Sequence, residues 1–560
     1  VVGLELPPTP ESSSLPREAY LPRLHETVVG LLTAALGERP AVLRVEDAGF
    51  ADETSVGLLE LLAKAVPSHP WVMIVTAVTP PSWIPADTPM VRVENLESGR
   101  ARRLVLEVLG DNALPAPLID EIVERAAGRP AALRELTLCA SGGDGVPETI
   151  EGAALAQIDR LDDRDRQLLS YAAVFGMDAR IDLLASLLPE MSTALEDPDS
   201  WSRLQAFIDT EVVGRIRFRD AIHRDVAYRI LPHERRISVH LMAAEEIERR
   251  ARRRPERFVA ELAYHFHMAQ RWDKTWEYNQ MAAEKASHGQ APLQAIRLLE
   301  RALEAADHLA IDSVGRSQAQ RHLGDAFERA GMFEQAASAY EGAAAGLGDD
   351  DSAWQLRALA ARALVRLGRP DEAREMFDAV LEHAVSAAAR TEAMTGIAGL
   401  EVRKGHFEEA ARWCDMVFAI TDEETESVAR AHSIRALAST RSGWSDATDH
   451  AKRAREIYDR IGDVAGAANA LNNLAYHAFY VGSWSECEAH HRAALGAREQ
   501  IGDVLGRALA SYNLGELLLE QGRLDESEDF LESALADFRG AGHLVGESAT
   551  RLTMALSLIN

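Results

Sequence analysis

The chain has 560 residues, 47% of them hydrophobic, which is enough material for several domains with real cores. A formal net charge of −28 argues against non-specific binding to nucleic acid or anionic membrane, and no stretch approaches the ~18 apolar residues that a membrane helix needs. The three cysteines, Cys139, Cys414 and Cys487, lie far apart and form no CxxC pair. That excludes a disulfide framework and a zinc ribbon, and points to a reducing cytoplasm as the location.

Residues 1–19 are rich in Pro and Ser and read as a linker, and Tyr20 to Leu36 has a helical pattern. Ala41 to Val45 is a short apolar run interrupted by Arg44 and followed by two carboxylates, Glu46 and Asp47. Glu53 to Val66 has the spacing of an amphipathic helix, and Trp71 to Val78 is a second apolar run, broken at Pro80-Pro81. Strand, helix, strand in this span predicts a βαβ unit of a parallel sheet, whose strands are buried on both faces. Arg44 is then a charge in a buried strand, costly unless paired. On these residues alone, a strand that stops at a solvated acidic turn is the simpler reading.

The segment VLRVEDAGFAD, followed by a helix and VMIVTAV, resembles the Walker B and sensor strands of STAND-type signalling ATPases. Those bacterial regulators carry an AAA-like ATPase, a winged helix and tetratricopeptide repeats, often fused to adenylate/guanylate cyclase or LuxR-type DNA-binding domains. The resemblance implies ATP or ADP with Mg²⁺ as cofactor. It puts Glu46 at the metal position, Asp47 at the catalytic acid that orients water, and Thr76 on the sensor strand beside the nucleotide. Three features depart from the family. Glu46 stands where an Asp is usual, and its extra methylene moves the carboxylate by about 1.5 Å, enough to disturb an octahedral Mg²⁺ shell. Gly49 and Phe50 replace a His-Trp pair, and Thr76-Ala77-Val78 lacks the family's arginine. Together they imply weakened hydrolysis. No GxxxxGK[ST] loop occurs in the chain. The chain opens at Val1 and is expected to be a fragment cut at both ends, with the phosphate loop upstream and hydrolysis confined to the full-length protein.

Ser98 to Leu109 and Leu114 to Ala127 read as helices, the second stopped by Gly128-Arg129-Pro130. ERAAGRPAALREL is similar to the family's lid helices, which implies Gly128 and Pro130 as nucleotide neighbours. Gly152 to Arg254 resembles a winged helix, with a hairpin around Gly214. Its charges are mixed in sign, so DNA contact is not expected, and the run Arg249, Arg250, Arg252, Arg253, Arg254 reads as a solvated helix end. In the family this domain works as a lever on the ATPase. His223, in FRDAIHRDVAY, reads as a packing residue.

From about Phe258 the chain becomes Ala-rich and wholly helical in pattern. Small residues recur at Ala295, Ala336, Ala373, Ala410, Ala447, Cys487 and Ser527, at intervals of 37 to 41 residues, most preceded by a Gly turn. Leu323, Gly324, Phe327, Gly331, Ala336, Tyr340 and Ala343 have the internal spacing of a tetratricopeptide repeat. Small residues let paired helices approach, and aromatics fill the space beside them. Such an array offers a concave face to a protein or peptide. Trp444, Trp484, Tyr476 and Tyr480 are candidates to line it, although their helical spacing fits core positions better.

The expected fold is mainly α, with a partial α/β P-loop-type sheet, a helical lid, a winged helix and an α-solenoid of tetratricopeptide repeats. The boundaries are 1–95 for the ATPase part, 96–150 for the lid, 151–255 for the winged helix and 256–560 for the repeats. The expected function is a regulatory signal-transduction ATPase fragment, a nucleotide-dependent switch coupled to a protein-binding array. The alternatives are a non-catalytic repeat scaffold with a degenerate ATPase remnant, and a fragment of a LuxR-type transcription activator. His265 and His267 are two apart on a helix and cannot share a metal from one face, nor can the adjacent His490 and His491. No HExxH or GxSxG motif is present.

Overall fold

The computed structural model describes residues 17–557, except 38, 82, 85–87, 111, 144, 196–197, 211–213, 253–254, 289–290, 349, 502 and 541–542. Most of the linker expected over 1–19, the residues just before Gly214, and Arg253, Arg254 and Gly502 therefore lie outside the described residues. The chain divides into two units, one made of Val1–Thr88 with Ala283–Asn560, the other of Pro89–Ala282.

The first unit opens with helix α1 (Arg17–Leu36), strand β1 (Ala41–Val45), helix α2 (Glu53–Ala65) and strand β2 (Trp71–Val75). Asp52 starts α2 by accepting the Ser55 N–H at 2.7 Å, an N-cap that satisfies one of the free amides of the first turn. β1 and β2 pair in parallel, from Ala41 opposite Trp71 to Val45 opposite Val75. One face of the pair is half-buried, whereas Val42 (66%), Val72 (57%) and Ile74 (47%) are exposed on the other. The expectation of a strand buried on both faces is corrected here, and so is the supposed cost of Arg44. Its side chain is 69% exposed and lies 3.3 Å from Glu46. Burial on both faces needs a layer on each side of a sheet, and these strands alternate between half-buried and exposed residues instead.

The second unit runs α3 (Ser98–Leu109), α4 (Ala116–Ala126), α5 (Pro130–Ser141), α6 (Ile150–Asp159), α7 (Asp163–Ala173), β3 (Asp178–Arg180), α8 (Ile181–Leu187), α9 (Ser192–Leu195), β4 (Ile208–Asp209), β5 (Arg215–Phe218), α10 (Ala221–Ile230), α11 (His233–Ala251), α12 (Val259–Met268) and α13 (Trp272–His288), the last reaching past Ala282. The strands form a small antiparallel sheet in the order β3-β5-β4. Two apolar cores organise the unit. One gathers Ala101, Val105, Ile122, Leu133 and Leu136 from α3 to α5, and the other gathers Leu169, Tyr171, Leu184, Trp201, Phe218 and Val239.

The rest of the first unit is an array of antiparallel helix pairs. After α14 (Pro292–Asp307) come α15 (Ser313–Arg329) with α16 (Phe333–Ala345), α17 (Asp351–Leu367) with α18 (Pro370–His383), and α19 (Ala387–Arg403) with α20 (Phe407–Ile420). They are followed by α21 (Glu426–Ser442) with α22 (Ala447–Ile461), α23 (Val464–Tyr480) with α24 (Trp484–Gln500), α25 (Val504–Glu520) with α26 (Leu524–Gly540), and α27 (Leu544–Ser557). From α17 to α23 the first helix of one pair packs on the next pair's first helix, as α17 does on α19 and α19 on α21. A polar residue caps these helices, as Asp312 does for Gly315 N and Ser386 for Ala389 N. The turn inside a pair is made by a glycine at positive φ, 73° at Gly331 and 80° at Gly405, which a side chain would strain. All seven small residues that mark the repeat, from Ala295 to Ser527, are 0% exposed. Among the described residues no helix is long and apolar enough to cross a membrane.

Candidate functional site

The first helices of four successive pairs, α15, α17, α19 and α21, line a cavity of about 600 Å³ on the repeat array. The period of 3.6 brings residues four and seven apart to one face, so Arg321, Asp325 and Glu328 on α15 and Gln355, Leu359, Arg362 and Arg366 on α17 reach it together. Arg362 is its hub. The guanidinium lies 2.8 Å from Glu328, 3.5 Å from Glu426 and 3.6 Å from Glu392, so one side chain ties α17 to α15, α19 and α21. Glu392 is buried and also accepts from Arg430 at 2.7 Å and from the Ser427 hydroxyl. Burial would raise its carboxyl, but the charges of Arg430 and Arg362 outweigh this and hold it at about 2. Tyr340, fully buried, donates its hydroxyl to Asp325 at 2.7 Å, and its phenol is pushed well above the usual range by burial and by the Asp325 and Glu328 charges.

Two polar groups of this lining have no hydrogen-bond partner among the described residues: the Thr391 hydroxyl, on a residue 2% exposed, and the Arg362 Nε–H. A buried polar group without a partner costs free energy, which a ligand supplying the missing bond would recover. The Arg366 guanidinium stacks on Phe333 with 5.0 Å to the ring centroid. Chemically the cavity is a polar groove with charges of both signs and with hydrogen-bonding groups on its lining. It is equipped for recognition by charge and hydrogen bonding.

The residues singled out at the strand ends are placed as follows. Asp47, in the left-handed region at φ 52°, donates its backbone N–H to the Thr76 hydroxyl at 3.1 Å, so these two meet where β1 and β2 end. Glu46 turns to Arg44. Among the described residues no group of three potential metal ligands includes Glu46 or Asp47. The described residues do not by themselves assemble a Mg²⁺–nucleotide site. Gly128 and Pro130 belong to the second unit. Gly128 sits at φ 74° with its C=O accepting the Leu96 N–H at 2.7 Å, and a Cβ there would come within 2.3 Å of the Leu96 carbonyl. Pro130 opens α5.

Elsewhere, the aromatic candidates are not core. Tyr480 (54%) and Trp484 (40%) are exposed, Trp444 and Tyr476 half-buried, and Arg441 donates to both tyrosine hydroxyls. Arg249 and Arg250 pair with Glu246, and Arg250 also with Asp182. His265 is buried with its Nδ1 2.9 Å from that of His240; burial lowers both imidazoles, to about 4 and about 3. One arrangement escaped sequence reasoning altogether. His223 holds Asp220 at 2.6 Å on Nδ1 and lies 3.3 Å from Glu135 on Nε2. Asp220 is three residues away, but Glu135 is far away in sequence, so no local pattern joins it to His223.

Two sequence-family models, each described as tetratricopeptide repeat, match residues 466–539 and 359–422. The chain carries tetratricopeptide repeats. The groove spans the 359–422 match and reaches residues on either side of it, with Arg362, Thr391 and Glu392 inside the match. No curated protein sequence matches the chain. Among solved structures, it is similar to a Signal Transduction ATPase with Numerous Domains protein with a tetratricopeptide repeat sensor from Pyrococcus horikoshii. That match has 13% identity and a TM-score of 0.43 over 96% of this chain and 81% of that one. It is also similar to the apo form of the quorum sensor NprR from B. thuringiensis, with 12% identity and a TM-score of 0.42 over 64% of this chain and 97% of that one. A third is the Rap conjugation gene regulator of plasmid pLS20 in complex with the Phr* peptide, with 16% identity and a TM-score of 0.39 over 50% and 77% of the two chains.

Proposed function

We propose that this chain is the recognition part of a signal-transduction regulator, and that the groove across α15, α17, α19 and α21 receives a protein or peptide segment. The observation that carries this is the unpartnered, buried Thr391 hydroxyl in a charged cavity of about 600 Å³, within the size range of sites that enclose small ligands. Arg362 gives the groove a means of reporting occupancy, because a ligand anion that competes with the exposed Glu426 for its guanidinium changes how α17 is tied to α21. Hydrogen–deuterium exchange of the whole chain with pooled short peptides tests the reading. Binding is expected to slow exchange in α15, α17, α19 and the start of α21. Protection confined to other helices would remove the groove as the site.

In the wider form of this reading, 1–95 is a nucleotide-responsive element, 96–150 its lid, 151–255 a winged-helix lever and 256–560 the sensor. The meeting of Asp47 and Thr76 at the carboxyl ends of two parallel strands favours it, since ligands of parallel sheets gather there. ATP or ADP with Mg²⁺ would then lie near Glu46, Asp47 and Thr76. Titration of a fluorescent ATP analogue with and without Mg²⁺ tests this form. Binding that is lost in Asp47→Ala supports it, and no binding at millimolar nucleotide discards it while leaving the groove untouched.

A further inference from the structure

The one group of three potential metal ligands among the described residues is Glu135, Asp220 and His223, whose ligand atoms lie within 4.8 Å of one another. All three belong to the inner unit, where helix α6 packs on both α5 and α10 and so brings their side chains together. Two acids alone make no site; the His223 ring sets this group apart. The residue is 2% exposed, and its Nε2 has no hydrogen-bond partner among the described residues, although Glu135 Oε2 lies 3.3 Å away. A buried ring nitrogen without a partner calls for an explanation, and a bound ion is one. The separation fits that explanation. Ligands held about 2.0–2.1 Å from a tetrahedral Zn²⁺ stand about 3.3–3.4 Å from one another.

The groups behind these two atoms are arranged as a metal site requires. Asp220 Oδ2 lies 2.6 Å from Nδ1, which holds a proton on that nitrogen and turns the Nε2 lone pair toward an ion. Gln157 Nε2 donates to Glu135 Oε2 at 2.7 Å and keeps the carboxylate in place. Phe207 meets the imidazole edge-on, 5.0 Å between centroids, and fixes its tilt. The Asp220 side chain is 39% exposed, which gives the cluster a way in from solvent. Two carboxylates balance the charge of one divalent ion, as burial of charge demands. A ring nitrogen beside carboxylate oxygen suits zinc, whereas Mg²⁺ and Ca²⁺ prefer oxygen throughout.

We propose that His223 Nε2 and the Glu135 carboxylate bind a zinc-type divalent ion, with Asp220 supporting the ring through Nδ1 and water completing the coordination. Ion and proton compete for the same Nε2 lone pair, so each excludes the other. Leu133 and Leu136 beside Glu135 belong to one apolar core of the unit, and Val226 and Ala227 beside His223 to the other, so the ion clasps the two cores together. The whole chain, stripped of metal with a chelator, would be titrated with ZnCl₂ by calorimetry and with CoCl₂ by visible spectroscopy. One Zn²⁺ per chain is expected to bind at this site, undisturbed by excess Mg²⁺, and Co²⁺ to give the intense bands of a four-coordinate ion. Glu135→Gln and His223→Gln should each lose both signals while circular dichroism shows the helices intact. Asp220→Asn keeps a good helix cap and both ligands, so it should fold and weaken Zn²⁺ by about tenfold or more. No binding by the native chain, or only the weak bands of six-coordinate Co²⁺, would overturn the proposal. Binding that survives both ligand variants, or that Asp220→Asn leaves unchanged, would overturn it as well.

Discussion

His223 takes its protonation state from two helices at once. Asp220, the N-cap of α10, holds Nδ1 at 2.6 Å, and Glu135 on α5 faces Nε2 at 3.3 Å. Burial of the ring, 2% exposed, works against the charged form, but hydrogen bonding and the charges of Asp220 and Glu135 outweigh it and raise the imidazole to about 9. A histidine whose pKa is raised on folding contributes stability in full below its unfolded value near 6.5, and loses that contribution as pH climbs through about 9. At about 1.4 kcal/mol per pKa unit the term is on the order of 3 kcal/mol. His223→Gln should therefore unfold more easily than the native chain at pH 6.5, and the gap should narrow by pH 9.5. The intrinsic fluorescence of Trp201, in the same unit, can follow both transitions during chemical denaturation. A gap that stays constant with pH would mean that the ring is neutral and only packs. Sequence reasoning saw the packing and missed the charge. The ion pair joins residues on two helices that local spacing cannot connect.

At the level of the helix, two glycines three residues apart on α19 meet opposite surroundings. A Cβ on Gly396 would fall 2.2 Å from Cζ of Phe377, a fully buried ring, so any side chain there forces α18 and α19 apart. A Cβ on Gly399 would meet only Ile434 Cδ1, at an ordinary 3.8 Å. Gly396→Ala should lower stability by about 1–3 kcal/mol through overpacking. Gly399→Ala should raise it by about 0.5–1 kcal/mol, because glycine is a poor residue for a helix interior. Urea melts of the two variants check both signs, and a common sign would refute the contrast. The same sterics explain why the repeats were legible: every pair repeats one close approach, so small residues recur at one interval along the chain. The groove was less so. Glu328 and Arg362 stand 34 residues apart, whereas the repeat interval here is 37, so the pair falls at different positions of the repeat and no period along the chain links it. The exposed side of β1 and β2 was not legible, because which face of a strand is covered depends on what packs there rather than on the strand.

For the molecule as a whole, the division into units makes a prediction about autonomy. Pro89–Ala282 is continuous in sequence, whereas the other unit is assembled from both sides of it. Both apolar cores of the inner unit, the one around Leu133 and the one around Leu169, draw on residues between Ala101 and Ala243 alone. A length of roughly 200 residues is ample to bury a core without outside help. The segment 89–288, extended so that α13 stays whole, should therefore fold by itself. It should show a helical circular dichroism spectrum and a single cooperative melt, with Trp201 as shielded as in the intact chain. Binding of a hydrophobic dye with a gradual, uncooperative melt would instead show that the inner unit needs the outer one. The outer unit should be harder to isolate, since excising 89–282 forces Thr88 to be joined to Ala283 by a new linker. If the inner segment folds alone and keeps the pH-dependent gap of His223→Gln, the switchable histidine is a property of that unit and not of its attachment to the repeats.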